Sequence, residues 1–165
     1  MPMTLQGSCH CGAVRFTLDS HTPHPYQLCY CSICRKTAGG GGFAINIMGV
    51  AKTLSIKGRK AVRIYRAVIC DDDGGNCETS TGERNFCSKC GSALWLFSPE
   101  WPELVHPFAS AIDTPLPAPP VRTHLMLKYK ASWVEPVIRK GDLQFQGYPE
   151  LSIEDWHRRH GLWVK

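Results

Sequence analysis

Residues 29–40 read CYCSICRKTAGG, and the three cysteines in that run say more about the chain than any hydrophobic pattern does. Cys29, Cys31 and Cys34 stand in C-x-C-x-x-C spacing. Two shorter clusters flank them, Cys9-His10-Cys11 upstream and Cys87-Ser88-Lys89-Cys90-Gly91 downstream. Short cysteine pairs deliver two ligands to one metal ion from a single tight turn, and zinc takes four thiolates tetrahedrally at about 2.3 Å. A C-x-x-C turn followed by glycine is a common zinc knuckle, because glycine turns the chain while backbone N–H groups face the sulfurs. The outer pairs, Cys9 with Cys11 and Cys87 with Cys90, are the natural partners of one closed structural site that contributes directly to folding. The middle cluster supplies three ligands, and three protein ligands with a free fourth position is the arrangement of a catalytic zinc. A fourth ligand from Cys70, Cys77 or a histidine would instead make that site structural. A redox pair at Cys31 and Cys34 is a further alternative, disfavoured because such pairs open a helix in a βαβ unit.

Outward from the clusters, the chain reads as strands. Val14, Phe16 and Leu18 alternate with Arg15, Thr17 and Asp19, and Phe43, Ile45 and Ile47 alternate with Ala44, Asn46 and Met48. Further strands are expected at Leu54–Ile56, from Val62 through Ile69, over 93–97, over 104–112, and at Leu125, Leu127 and Tyr129. Asp71 to Asn76 is a turn-rich loop and Thr114 to Pro120 a proline-rich surface connection. Ser152 with Asp155 resembles a capping arrangement ahead of Trp156 and predicts a late helix. A short helix is also expected after Cys34, through Arg35 and Lys36, stopping at the glycines of 39–42.

The bulk composition is that of an ordinary globular protein. The 165 residues are 43% hydrophobic and 20% charged, with a net charge of +5, which suits one domain with a real core. The basic residues are scattered and no aromatic–basic stripe appears, so nucleic acid is not an expected partner. No signal-peptide layout and no apolar run near ~18 residues is present, so a cytoplasmic location without membrane association is expected. Nine cysteines in a reducing compartment are expected to bind metal rather than to pair, and the odd number argues the same way. Cys70 and Cys77 are read as non-ligands, of the small buried hydrophobe kind.

The three clusters, in this order, resemble the glutathione-dependent formaldehyde-activating enzyme family, related to centromere protein V. GSCHCGAVRF at 7–16, CYCSICRKTAGG at 29–40 and RNFCSKCGSALW at 84–95 carry the likeness. KASW at 130–133 resembles a late motif in which proline is usual at Ser132. The resemblance implies a mainly β, Mss4-like fold of antiparallel sheets around a structural zinc, with one or two short helices. It implies a single domain over 1–165, with its core at about 5–135 and a carboxyl-terminal extension over 136–165. It also implies a structural zinc on Cys9, Cys11, Cys87 and Cys90, a catalytic zinc on Cys29, Cys31 and Cys34, and glutathione as cosubstrate. The implied activity is that of a carbon–sulfur lyase joining glutathione and formaldehyde, reversibly.

On that expectation a thiol takes the free position on the second zinc and attacks an aldehyde carbon. Backbone N–H groups from Thr37 to Gly42, Gly39 and Gly40 included, are candidate oxyanion donors, a flexible turn being the alternative. Arg35 and Lys36 are candidate contacts for glutathione carboxylates. His10 is expected to face solvent, His106 and His124 to be satisfied histidines, and Trp133 to be core. Two other functions remain open at this point. One is a non-catalytic Mss4-like zinc binding or chaperone module. The other is a zinc lyase or hydrolase acting on a different small substrate.

Overall fold

The alternation at residues 14–19 becomes a strand with one face indoors: Phe16, Leu18 and Ser20 are buried, while Arg15 and Thr17 face solvent. The computed structural model describes residues 1–165 and is mainly β. In chain order come β1 (Met3–Ser8), β2 (Arg15–Ser20), β3 (Gln27–Cys29) and helix α1 (Ser32–Thr37). Next are β4 (Ala44–Ile45), β5 (Gly49–Val50), β6 (Ser55–Lys57), β7 (Val62–Tyr65) and β8 (Val68–Cys70). Then follow β9 (Cys77–Thr79), β10 (Glu83–Cys87), β11 (Ala93–Phe97), β12 (Leu104–Pro107), β13 (Thr123–Leu125), β14 (Leu143–Gln144) and helix α2 (Ile153–Arg159).

These strands form an antiparallel sheet β1-β2-β6, an antiparallel sheet β5-β12-β11-β10-β7, a sheet β14-β13-β3-β4, and a hairpin β8-β9. Leu5, Val14, Phe16, Leu18, Leu94, Trp95 and Val105 build the main core, with Cys9 and Cys87 inside it. The Phe16 and Trp95 rings meet edge-on at 5.1 Å. Each fully buried side chain of this size contributes roughly 1.5–3 kcal/mol over its exposed state. A smaller cluster around Cys29, Cys34, Ala44, Phe108 and Leu125 lies next to it. The closed cysteine set therefore belongs to one core and the open set to another.

The third sheet departs from the antiparallel expectation, since β13 pairs in parallel with both β3 and β14. Parallel neighbours need long crossovers, and the chain from β3 to β13 passes through most of the fold before returning. The run from Val62 to Ile69, expected as one strand, is two: β7 joins the five-stranded sheet, whereas β8 leaves it to form the hairpin with exposed Val68 and Ile69. The 43–48 alternation is shared between partners. Ala44 and Ile45 pair with β3, while Asn46 bridges to Phe108 and the Ile47 amide donates to Pro107. Strand β12 stops at Pro107, which has no N–H to donate, and a 3-10 turn at Ala109–Ala111 follows. Leu127–Tyr129 is likewise a 3-10 turn.

Both expected helices form. Ser152 caps α2, its Oγ accepting from the Asp155 amide at 3.0 Å. Helix α1 begins earlier than expected, at Ser32, because Cys31 is its cap: Cys31 Sγ accepts from the Cys34 amide at 3.3 Å. Two side-chain expectations are corrected. Cys70 and Cys77 are not unpaired buried thiols but an exposed disulfide, brought together because they face each other across the β8-β9 hairpin. Trp133 is not core; it is 68% exposed, and its neighbour Val134 occupies the buried position instead. No helix is long and apolar enough to cross a membrane.

Candidate functional site

The Cys9 and Cys87 turns both end on a glycine with φ in the left-handed region, Gly12 at 71° and Gly91 at 75°. Those turns let the Gly12 amide reach the Cys9 carbonyl at 3.0 Å and the Gly91 amide the Cys87 carbonyl at 2.8 Å. The Val14 amide donates to Cys9 Sγ at 3.2 Å. Ser92 joins the two turns, accepting from the His10 amide at 3.1 Å and meeting Cys90 Sγ at 3.2 Å. That hydroxyl, with the Ser92 amide, pulls the Cys90 thiol down to about 5. The sulfurs of Cys9, Cys11, Cys87 and Cys90 all lie within 4.8 Å of one another. Cys9 and Cys11 are 3.6 Å apart and Cys11 and Cys87 3.8 Å. A tetrahedron with metal–sulfur bonds of about 2.3 Å has edges of about 3.8 Å, which the Cys9–Cys11 and Cys11–Cys87 separations match.

Cys29, Cys31 and Cys34 form the second group, again within 4.8 Å of one another and with no fourth histidine, cysteine or carboxylate among them. Cys29 sits at the end of β3, and Cys31 and Cys34 on the first turn of α1. Hydrogen bonds from Cys29 and Cys34 hold the Cys31 thiol far below its usual value, at about 2, while sharing with the same neighbours drives Cys29 upward. The two groups of sulfurs could each hold a metal ion.

The three-cysteine group opens on a cleft of about 850 Å³. Arg84 borders it, with both terminal guanidinium nitrogens 4.0 Å from Cys34 Sγ. Arg84 and Cys87 are three positions apart on β10 and so face opposite sides of the strand. One strand thus serves both sulfur groups. Asn46 and His106 also border the cleft. Asn46 Oδ1 is buried without a partner, and burial pushes His106 down to about 4, keeping its ring neutral. The β8-β9 hairpin adds Ile69 and Glu78, and the chain after β14 adds Tyr148 to Ile153.

The sequence-expected contacts divide between two hollows. Arg35, Lys36, Thr37, Gly39 and Gly40 border a second hollow of about 580 Å³, beside Cys9, His10 and Ser92, and are absent from the lining of the cysteine cleft. His10 is exposed, as expected. His124 is fully buried, bonded to the Tyr30 hydroxyl at 2.9 Å and to Asp142 at 3.4 Å. Arg84, Asn46, His106 and Tyr148 were not anticipated as site residues. No local pattern marks them: Arg84 stands between Glu83 and Asn85 in the ERNFC strand, with no alternation that singles it out.

The fold and these two sulfur groups define a mainly β protein with two potential metal-holding thiol clusters, a group of four with Cys9 and Cys87 buried and Cys11 and Cys90 exposed, and a group of three bordering a cleft. The chain belongs to the glutathione-dependent formaldehyde-activating enzyme family, whose profile matches residues 4–128. A protein of Halomonas elongata, provisionally named after the same activity, is 61% identical over 160 residues, covering 97% of this chain and 98% of its own. A crystal structure of a Rhodobacter sphaeroides protein superposes with a TM-score of 0.48 at 20% identity, over 87% of this chain and 99% of that one.

Proposed function

We propose that this chain is a zinc-dependent carbon–sulfur lyase that adds glutathione to formaldehyde, reversibly, giving S-(hydroxymethyl)glutathione. The observation that carries the reading is the division of seven free cysteines into a group of four and a group of three that lines a cleft. The family membership and the name of the Halomonas relative support the same substrates. Soft thiolates at tetrahedral spacing favour zinc among the common ions. Cys9, Cys11, Cys87 and Cys90 would hold a structural ion with every position filled. Cys29, Cys31 and Cys34 would hold a second with a position left for substrate. Bound there, zinc supplies Lewis acidity that favours the thiolate form of a thiol and eases charge building on oxygen.

The remaining work falls to the chain. Arg84 places a fixed positive charge beside the sulfurs, which offsets their summed negative charge and attracts an anionic thiol. Half of the cleft lining is hydrophobic, and excluding water there strengthens each charge interaction. Addition forms a sulfur–carbon bond, moves the carbonyl π pair onto oxygen, and ends with that oxygen carrying a proton in place of the one the thiol released. Arg35, Lys36, Gly39 and Gly40 have their place in this reading outside the cleft, on the neighbouring hollow. The reading places the protein in the cytosol, where the seven free thiols are kept reduced and the exposed Cys70–Cys77 pair is open to reduction.

The experiment counts metal and turnover together. Wild type should carry two zinc ions per chain and form S-(hydroxymethyl)glutathione faster than the uncatalysed mixture. Cys31→Ala should remain folded, carry one ion and lose the acceleration. A Cys31→Ala variant that turns over like wild type would sink the proposal.

A further inference from the structure

One wall of the cysteine cleft is built from chain that the family profile does not reach. The match ends at residue 128, yet Tyr148, Pro149, Glu150, Leu151, Ser152 and Ile153 border the cleft. The backbone explains why this segment lies there. Strand β14 runs parallel to β13. Beyond it the amides of Met126, Leu127 and Lys128 donate to the carbonyls of Gly147, Phe145 and Gln146 at 2.9, 3.2 and 3.3 Å.

Both ends of the segment are tied down. At the start, the buried Asp142 carboxylate accepts from the Arg122 and Arg139 amides at 2.8 and 2.9 Å and from the Arg122 guanidinium at 3.1 Å. At the far end, Trp156 of α2 is buried and stacks on Tyr26 with ring centroids 3.7 Å apart. Met126, itself on the cleft, is the one non-glycine residue with positive φ, at 60°. Such backbone conformations persist where the surroundings over-determine them, and they gather at functional sites. Here the bond from the Met126 amide to Gly147 couples that turn to the wall.

Between these anchors stands Tyr148. Solvent reaches it, at 80% exposure. Its ring borders the same cleft as Cys29, Cys31, Cys34 and Arg84. It is an O–H donor that keeps its proton, on a fixed backbone, at the mouth of the open cysteine group.

We propose that Tyr148 touches the substrate, donating a hydrogen bond to the aldehyde oxygen while a thiolate sulfur adds to the aldehyde carbon. The inference rests on the thiol-plus-aldehyde reading above and deepens it. The sulfur–carbon bond forms, the π pair passes to oxygen, the Tyr148 donor stabilises that oxygen, and the proton released by the thiol finally rests there. Nothing is oxidised or reduced. A residue that only walls the cleft contacts substrate and transition state alike and alters KM. A donor aimed at developing charge acts on kcat.

Tyr148→Phe keeps the ring and deletes the donor. Its kcat for S-(hydroxymethyl)glutathione formation should fall roughly 10²-fold, as for loss of one oxyanion donor. KM, and the glutathione Kd from titration calorimetry, should stay within about two-fold. Tyr148→Ala should weaken calorimetric glutathione binding as well, by roughly five-fold or more, because the wall itself is cut back. If wild type binds no glutathione in the calorimeter, the thiol reading falls and this inference falls with it. If wild type binds and turns over but Tyr148→Phe keeps its kcat, or loses only affinity, the thiol reading stands and the role given to Tyr148 is overturned.

Discussion

The two cysteine groups should differ sharply in what they contribute to stability, and the difference can be worked from chain separation. Cys11 and Cys87 are 76 residues apart, so an ion held by the group of four closes a long loop. Loop-closure entropy grows as (3/2)RT ln n, which gives about 4 kcal/mol for that loop and about 1.5 kcal/mol for the five-residue span from Cys29 to Cys34. Against a total stability of about 5–15 kcal/mol, losing the first link is severe and losing the second is tolerable. At about 2–4 °C per kcal/mol for a chain of this size, Cys87→Ser should melt about 8–16 °C below wild type. Cys31→Ser should melt about 3–6 °C below it. Cys87 is fully buried, so the serine hydroxyl left there adds a further penalty of about 1–3 kcal/mol. Far-UV circular dichroism melts of wild type and both variants, each with and without a chelator, test this. Chelation should bring wild type down toward the Cys87→Ser value, stopping about 2–12 °C above it because wild type carries no buried serine hydroxyl, while moving that variant little. Equal losses in the two variants, or a Cys87→Ser melt unaffected by chelator and equal to wild type, would refute the assignment of the group of four as the fold's clasp.

Other consequences follow from the remaining side chains. Burial pushes His157 down to about 4 from 6.5, so the unfolded chain takes up its proton before the folded one does. Stability from this group is therefore complete above pH 6.5 and drains away as pH falls from 6.5 to 4. Urea midpoints at pH 7.5, 6 and 4.5 should decline across that window in wild type and decline less in His157→Gln. Arg84→Ala should lower kcat/KM for adduct formation by roughly 10- to 100-fold through loss of a charge-assisted contact, with Arg84→Lys restoring part; equal rates in all three proteins would remove Arg84 from the site. Trp156→Ala removes a buried indole stacked on Tyr26 and should cost about 3–5 kcal/mol. Because α2 anchors the cleft wall, that variant should also bind glutathione more weakly than wild type at a temperature where both are folded.

What could be read from residues alone follows from how local each signal is. The sulfur groups were legible because C-x-C and C-x-x-C spacings are short and the glycines after Cys11 and Cys90 mark turns that only a few geometries satisfy. The α2 cap was legible for the same reason: Ser152 and Asp155 meet within one turn. The strand at 93–97 was legible because it lies wholly within one sheet. Signals that depended on distant partners failed. The break between β7 and β8 is invisible in the apolar run from Val62 to Ile69, since both halves are rich in β-branched residues and only the pairing partner differs. Cys70 and Cys77 resembled spare thiols because nothing in their own neighbourhood says that the strands bearing them pair in register. The parallel addition of β13 to β3 joins residues 27–29 to 123–125, a separation no window spans.

The site divides along the same line. Its sulfurs are local in sequence and were found. Its cleft is assembled from β3, the β8-β9 hairpin, β10, β12 and the chain beyond β14, so Arg84, His106 and Tyr148 carry no signature of their own. Arg35, Lys36, Gly39 and Gly40 border the neighbouring hollow rather than the cysteine cleft. Lys36, two residues past Cys34, is turned through about 200° from it on α1, and Gly39 and Gly40 lie beyond the end of that helix. Arg84, on the strand that carries Cys87, reaches the open group because three steps along a strand reverse the side-chain direction. The same β10 that inserts Cys87 into the core therefore presents a cation to the other sulfurs, and a substitution that distorts β10 should disturb both groups at once.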